Sequence, residues 1–196
     1  MKSVYNFVVT PVNSRYNNTK KIGEKELIIN TEIFNHQYVN REAIVKAVPN
    51  VGSTDIKIGD KVIVHHNVFR RWHNVKGEEK NSRSYFDEQT YLISNDQIFL
   101  YKTNNVWKAQ KGYCFVKPIV SENNYSTDKE KPLTAIVEYA DGTVNKGDLI
   151  GFRPGSEYEF IIDGQKLYRV LSNLITIKYE YQGNEEEYNP SWAQSS

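Results

Sequence analysis

Short hydrophobic runs, separated by turn-forming residues, dominate the hydrophobic and polar pattern of this chain. Most runs are rich in β-branched and aromatic side chains, and Gly, Asn, Asp or Pro bounds them. Examples are YNFVVTPV (5–12), AIVKAV (43–48), KVIVHH (61–66), YCFVKPIV (113–120) and LITIKYEY (174–181). Apolar residues at helical spacing do not persist over three turns anywhere. The pattern predicts an all-β protein, organised as a sandwich or a barrel.

One aliphatic triplet, Leu27-Ile28-Ile29, interrupts a long polar stretch. Between Asn13 and Lys25 only Tyr16 and Ile22 are clearly apolar. The triplet is consistent with a short buried strand. It is equally consistent with a hydrophobic plug on a mobile loop over residues 13–30, kept for a partner. Both interpretations stay open at this stage.

Four pairs of sequence blocks recur in the same order in the two halves of the chain. Their offset falls from 108 to 92, 88 and 78 positions along the chain. Strand-like blocks that match while their connections change length are typical of a duplicated domain, because loops tolerate length changes. The pairs are YNFV (5–8) with YCFV (113–116), AIV (43–45) with AIV (135–137), GDKVI (59–63) with GDLI (147–150), and LISN (92–95) with VLSN (170–173).

The repeat predicts two domains, residues 1–106 and 107–182, followed by a polar C-terminal tail at 183–196. The first copy is longer in two places: the loop at 13–30, and an insertion at 65–88 after its GDKVIV strand. In the second copy the segment SENNYSTDKEKPL (121–133) has no aliphatic triplet. We expect the tail to be solvated, with Trp192 as the anchor if it docks on a neighbouring subunit instead.

Composition narrows the classes of function. Aromatic residues make up 13% of the chain, too many for a disordered protein. There are 25 Lys and Arg against 24 Asp and Glu, so no global basic field favours nucleic acid. Cys114 is the only cysteine, which excludes an internal disulfide. We find neither a signal peptide nor the roughly 18 apolar residues of a membrane span, and expect a soluble cytoplasmic protein.

Candidate chemistry is sparse. His65, His66 and His73 suggest a metal, but adjacent strand residues face opposite sides and no cysteine or carboxylate pattern completes a site. The segment FRRWH (69–73) could contact bases, although several acidic residues follow it. Cys114 lies in an apolar run and is expected to be an inert thiol. Enzyme motifs are missing, so we predict no catalytic residues, no metal and no cofactor.

The strand motifs of both halves resemble the GroES family of ten-kilodalton co-chaperonins. In the second half, VNKGDLIGFRPGSEYEFIIDGQKLYRVLSNLITIKYE (144–180) resembles the family's C-terminal half. In the first half, REAIVKAVPNVG (41–52), IKIGDKVIV (56–64) and YLISNDQIFLYK (91–102) resemble successive family strands. The resemblance covers residues 4–104 and 113–181. It departs from the family in two places. The glycine that the family carries beside its aliphatic tripeptide has moved to Gly23, and Asn173-Leu174 stands where the family has an aspartate.

The resemblance implies two tandem GroES-like β-barrels and a lid function without enzymatic activity. Leu27, Ile28 and Ile29 stand where the family carries the tripeptide that binds the large chaperonin ring in an ATP-dependent cycle. The 65–88 insertion would form the roof, with Phe69, Arg70, Arg71 and Trp72 as a roof or subunit contact. The family also implies a homo-oligomer, held by the YNFVVTPV or LITIKYEY strand. From charge and composition we expect neither nucleic acid nor a membrane as partner.

A different class of function fits the same residues. A structural assembly protein, for example a viral capsid or tail component, could reuse the duplicated barrel without binding a chaperonin. The protein would then be found in a virion or in the host cytoplasm. The sequence leaves this alternative open.

Overall fold

The computed structural model describes residues 2–16, 19–22, 25–28, 38–121, 129–155, 157–180 and 183–194. It contains seventeen β-strands and one short helix, α1 (Ser191–Gln194), within these residues, which confirms the predicted all-β class. The chain divides into two compact units, Met1–Val106 and Trp107–Ser196. No helix within the described ranges is both long and apolar enough to span a bilayer.

The first unit is built on one antiparallel sheet with the strand order β10-β5-β4-β1-β9-β8. Strands β2 and β3 form a separate two-stranded sheet, as do β6 and β7. Strand β11 (Val106–Ala109) runs across the boundary between the units. The strands of this unit are β1 (Phe7–Pro11), β2 (Thr19–Ile22), β3 (Lys25–Ile28), β4 (Glu42–Ala47), β5 (Lys61–Val64), β6 (Arg71–His73), β7 (Glu79–Asn81), β8 (Tyr85–Asp87), β9 (Thr90–Ile93) and β10 (Ile98–Thr103).

Alternating side chains build the core of the first unit. In β4 the residues Ala43, Val45 and Ala47 are buried, whereas the residues between them are partly or fully exposed. This alternation follows from the two-residue period of a strand. Phe7 and Val9 of β1 join Ala43 and Val45 in the same hydrophobic cluster. The cluster therefore fixes which face of each strand points inward.

The second unit contains one antiparallel sheet with the order β15-β16-β12-β13-β14-β17. Its core cluster includes Cys114, Val116, Ala135, Val137 and Ile150. Its strands are β12 (Tyr113–Val120), β13 (Glu130–Ala140), β14 (Leu149–Phe152), β15 (Tyr158–Ile162), β16 (Gln165–Leu171) and β17 (Ile175–Tyr179).

The two large sheets have the same topology when strands are matched in chain order. Strands β1, β4, β5, β8, β9 and β10 take the positions of β12, β13, β14, β15, β16 and β17. The irregularities match as well, because the β1–β4 ladder shifts between Val8 and Val9 and the β12–β13 ladder between Phe115 and Val116. A short 3-10 turn follows both β9 and β16. Shared order and shared irregularities are what two copies of one domain would have.

Strand register corrects two of the offsets read from the sequence. Val9 pairs with Val45, and Val116 pairs with Val137, so the opening strands correspond at an offset of 107 and not 108. Tyr91 pairs with Val9 while Tyr168 pairs with Val116, which gives 77 instead of 78. The sequence match had equated Phe7 with Phe115. A slip of one residue moves side chains to the opposite face of the sheet.

The two Gly-Asp pairs, Gly59-Asp60 and Gly147-Asp148, form equivalent turns before β5 and β14. Gly59 and Gly147 have φ values of 93° and 88°, a backbone region that favours glycine. Each glycine N–H donates to a strand carbonyl, Gly59 to Val45 and Gly147 to Val137. The preceding loop is closed by the aspartate, because Asp148 Oδ2 accepts from Asn145 N at 2.9 Å.

Both units are all-β, but the hydrogen bonds among the described residues do not close either large sheet into the predicted barrel. In that part of the chain, no ladder joins β8 to β10, and none joins β15 to β17. Both sheets are therefore open at their edges.

The C-terminal segment differs from the expected solvated tail. Pro190 and Ala193 are buried, and Tyr188 N donates to Pro118 O at 2.8 Å. The described part of the tail thus packs on the second unit to which it belongs. The tail packs because its backbone forms hydrogen bonds with β12. A polar sequence gives no signal for such backbone pairing.

Candidate functional site

The aliphatic triplet lies at the end of the β2–β3 hairpin. Thr19 pairs with Ile28 and Lys20 with Leu27 in an antiparallel ladder. Leu27 and Ile28 therefore have strand backbone, and Ile29 lies outside the described residues. Among the described strands, β2 and β3 pair with each other alone. The observed strand backbone of Leu27 and Ile28 agrees with the interpretation of the triplet as part of a strand. Binding of the triplet by a partner stays a prediction.

The hairpin belongs to an insertion specific to the first unit. It lies between β1 and β4, in a connection spanning residues 12–41. The equivalent connection of the second unit, between β12 and β13, spans only residues 121–129. The predicted loop at 13–30 lies inside this longer connection, partly outside the described residues. A long connection in one of two otherwise equivalent units is a common place for function.

The two ends of the insertion are held together by Asn40. Its side-chain Nδ2 donates to Val12 O at 2.6 Å and to Ser14 O at 2.8 Å. Its backbone N–H donates to Arg15 O at 2.9 Å. An isolated antiparallel bridge joins Tyr16 to Val39. The residues 12–16 and 38–40 therefore form a defined root for the insertion that carries the hairpin, which we call the hairpin root.

Arg15 ties the hairpin root to the second insertion of this unit. Its side chain is only 7% exposed, and Nη2 donates to Asn81 Oδ1 at 2.8 Å. Its guanidinium lies over the rings of Tyr85 and Tyr91, at 5.1 and 5.6 Å from their centroids. Nη1 is 3.5 Å from Glu88 Oε1. Burial raises the pKa of Tyr91 while nearby Arg15 opposes that rise, so the phenol stays neutral.

Tyr16 makes the second link between the two insertions. Its hydroxyl accepts from Arg71 N at 2.8 Å, and the Arg71 guanidinium lies 5.1 Å from the centre of its ring. Arg71 also contacts Glu79 across the β6–β7 hairpin, with Nη1 3.4 Å from Oε1. Sequence reasoning missed Arg15 and Asn40. The one available signal was an arginine beside a tyrosine at the start of a long polar stretch.

The predicted roof contact of four residues is only partly a surface. Phe69 is fully buried in the core of the first unit, where its ring meets Tyr91 edge-to-face at 4.7 Å. The prediction that Phe69 belongs to a contact surface is therefore wrong, because no part of it reaches solvent. Arg70 and Arg71 are partly buried, and Trp72 is 37% exposed. The remaining candidate contact is Arg70, Arg71 and Trp72.

The histidines have local structural roles. The rings of His65 and His66 stack at 4.3 Å, and His65 Nδ1 accepts from Asn67 N at 3.0 Å to cap a 3-10 turn. His73 lies apart from them on β6. In the ranges that the structure describes, no three His, Cys, Asp or Glu side chains are grouped to hold a metal ion.

Cys114 lies in the core of the second unit. Burial raises the pKa of its thiol to about 12. The thiolate is the reactive form, so this cysteine is poorly suited to nucleophilic or redox chemistry near neutral pH.

Comparison with known proteins adds no identification. No family model matches the chain, and no curated protein matches it.

Proposed function

We propose that this protein is a non-enzymatic binding protein of the co-chaperonin type, built from two GroES-like domains. In this proposal it acts as a lid for a large chaperonin ring and contacts that ring through Leu27, Ile28 and Ile29. The observation that carries the proposal is the β2–β3 hairpin. It is inserted between β1 and β4 of one unit, at the place where the resembling family carries its chaperonin-binding loop.

Energetics favour several copies acting together. Burying one leucine or isoleucine side chain contributes about 1.5–3 kcal/mol, and ordering the segment that presents it offsets much of this. Linked copies of a weak contact bind far more tightly than one alone. A homo-oligomer presenting several hairpins would therefore reach a useful affinity for the ring.

Strand β17 is the edge we favour for the assembly of that homo-oligomer. It is the outermost strand of its sheet, and Ile177 and Tyr179 are 49% and 40% exposed. Exposed apolar edge strands readily pair with another chain. Strand β1 was the other candidate. It already pairs with β4 on one side and β9 on the other, so it has no free edge to offer.

The decisive experiment mixes the protein with a large chaperonin ring and ATP and follows co-elution by size-exclusion chromatography. Ile28→Asp is expected to abolish co-elution without changing the melting temperature, because an apolar groove cannot accept a charge without several kcal/mol of cost. Lys25→Asp is the control, since it places the same carboxylate at the far end of the hairpin, opposite Ile22. It should retain co-elution. A large drop in the melting temperature of Ile28→Asp would instead make the triplet part of the fold.

A structural assembly protein is the second candidate function. The specific observation in its favour is that the hairpin and β17 both offer strand edges unpaired among the described residues. Such edges suit addition to other subunits of a particle as well as binding to a ring. If the protein ignores the chaperonin but enters filaments or particles on concentration, this second function replaces the first.

A further inference from the structure

The C-terminal segment is bound to the second unit as an added strand. Val120 N donates to Glu186 O at 2.8 Å, and Tyr188 N donates to Pro118 O at 2.8 Å. Ile119 and Glu187 lie opposite each other in an antiparallel bridge. This is the geometry by which an extended peptide adds to a sheet edge.

Side chains give the added strand its specificity. Glu187 Oε1 is 3.1 Å from Lys117 Nζ. Asn189 Oδ1 accepts from Lys166 N at 3.0 Å, while its Nδ2 donates to Gly164 O at 3.1 Å. The bound segment therefore presents a carboxylate and, two residues on, an amide, to donors and an acceptor fixed by the sheet.

Lys166 extends this recognition to the end of the segment. It is 8% exposed, and its Nζ lies 5.7 Å from the centre of the Trp192 ring. The same Nζ is held by Glu130 at 2.6 Å and Glu159 at 3.0 Å. Because these carboxylates belong to the sheet, the cation stays in place whether or not Trp192 covers it.

The second unit has a complete sheet without the segment. The cluster around Cys114 and Val137 is formed by side chains of the strands β12, β13, β14 and β16 and includes no residue of 183–194. Ala193, just beyond residues 185–192, is a buried apolar residue of the tail. On its other side, β12 already pairs with β13 through Pro118 and Val120. The segment also supplies Tyr188 to the wall of a groove of about 550 Å³, beside Pro118 and Phe152. Release of the segment would leave the sheet intact and open that groove, as expected for a locally separable element.

We propose that residues 185–192 are an exchangeable ligand, and that the second occupant of their site is the same segment of another copy of this chain. The backbone register, the Lys117–Glu187 ion pair and the Asn189 contacts are identical whichever copy supplies the segment. Gly183, with φ of 80°, lies just before the bound residues and is the position at which the path can change. Exchange of an identical element between copies is a low-cost route to association.

Concentration decides which copy occupies the site. A short linker gives the segment of the same chain an effective concentration on the order of 1 mM. Exchange should therefore be scarce in dilute protein and substantial as the protein approaches that concentration. Docking within the same chain and exchange between copies differ in this dependence alone.

The test uses the full chain and a carbodiimide, which joins a lysine amine to a carboxylate as an amide with loss of water. Equal amounts of unlabelled and ¹⁵N-labelled protein are mixed from about 0.02 to 1 mM, the range set by the linker estimate. The Lys117–Glu187 linked peptides are then identified by mass spectrometry. We expect mixed-isotope linked peptides to increase at least tenfold across the range, and Glu187→Gln to abolish the product. The Lys61–Glu42 pair, 2.7 Å apart within the first unit, is the internal control and should yield same-isotope products.

Three results would overturn the proposal. Linked peptides that stay same-isotope at every concentration would make the segment a fixed part of its own unit. Absence of any Lys117–Glu187 product would show that the site is not occupied as described. Equal amounts of mixed product at Lys61–Glu42 would show that the mixing reflects unspecific aggregation. The chaperonin assay is a separate readout, so either proposal can fail alone.

Discussion

Phe69→Ala is expected to destabilise the first unit by about 3–5 kcal/mol, the usual cost of removing a buried phenylalanine ring. Phe69 has no exposed surface, and its ring meets Tyr91 at 4.7 Å with an interplanar angle of 86°. The ring belongs to the same cluster as Val68 and Ile93. Alanine would leave a cavity beside Tyr91, and close packing lets the surrounding side chains collapse into it only partly.

Urea denaturation followed by far-ultraviolet circular dichroism measures this cost. With a slope of about 2 kcal/mol per molar urea, a loss of about 4 kcal/mol lowers the unfolding midpoint by about 2 M. Trp72→Ala is the matched control, because it removes a larger ring three residues away that is 37% exposed. Its cost should be below about 1 kcal/mol. At the same time Trp72→Ala should weaken any contact made by the remaining roof surface.

The reasoning is refuted if Phe69→Ala costs less than about 1 kcal/mol, or if Trp72→Ala costs as much as Phe69→Ala. Either result would mean that the ring of Phe69 does not fill the core. Phe69 would then again count, with Arg70, Arg71 and Trp72, as part of the predicted roof contact.

Three further predictions concern the second unit. In Gly151→Val, the added Cβ would lie 3.2 Å from Tyr179 Oη, so the change should cost about 1–3 kcal/mol by thermal melting; an unchanged melt would contradict the β14–β17 packing. Native Cys114 should react with iodoacetamide at pH 8 more than about a hundredfold slower than the unfolded chain, because burial raises its thiol pKa to about 12; rapid native labelling would disprove its burial. Burial alone would raise the pKa of the Glu138 carboxyl, but Lys146 and Lys117, 2.6 and 3.0 Å away, hold it below its ordinary value. The contribution of this carboxylate to stability is thus present above about pH 4.5 and lost as the pH falls through the lowered pKa. Glu138→Gln should therefore flatten the acid side of a stability–pH profile. An unaltered profile would exclude a stabilising role for the Glu138 carboxylate.

Local pattern was enough to predict most strands of the two large sheets, but not the short strands β2, β6, β7, β8 and β11. The alternation of Ala43, Val45 and Ala47 indicates which face of β4 points inward before any partner strand is known, because side chains alternate with a period of two. Gly59 and Gly147 similarly predict left-handed turns, since the required backbone conformation is available to glycine at little cost. These features depend on a residue and its immediate neighbours in the chain, and so the sequence carries them.

Tertiary structure decided everything that depends on which distant groups meet. Phe7 and Phe115 matched when the sequences of the two halves were compared. The register of β1 with β4, set beside that of β12 with β13, instead makes Phe7 the equivalent of Cys114. Phe69 looked like part of an exposed aromatic and basic segment until Tyr91, 22 positions later, was seen to pack against it. The polar tail became an added strand because Pro118 and Val120 offered unpaired backbone groups to it. Sequence periodicity states which side of a strand is apolar, whereas register, edge pairing and burial are set by contacts between residues far apart in the chain.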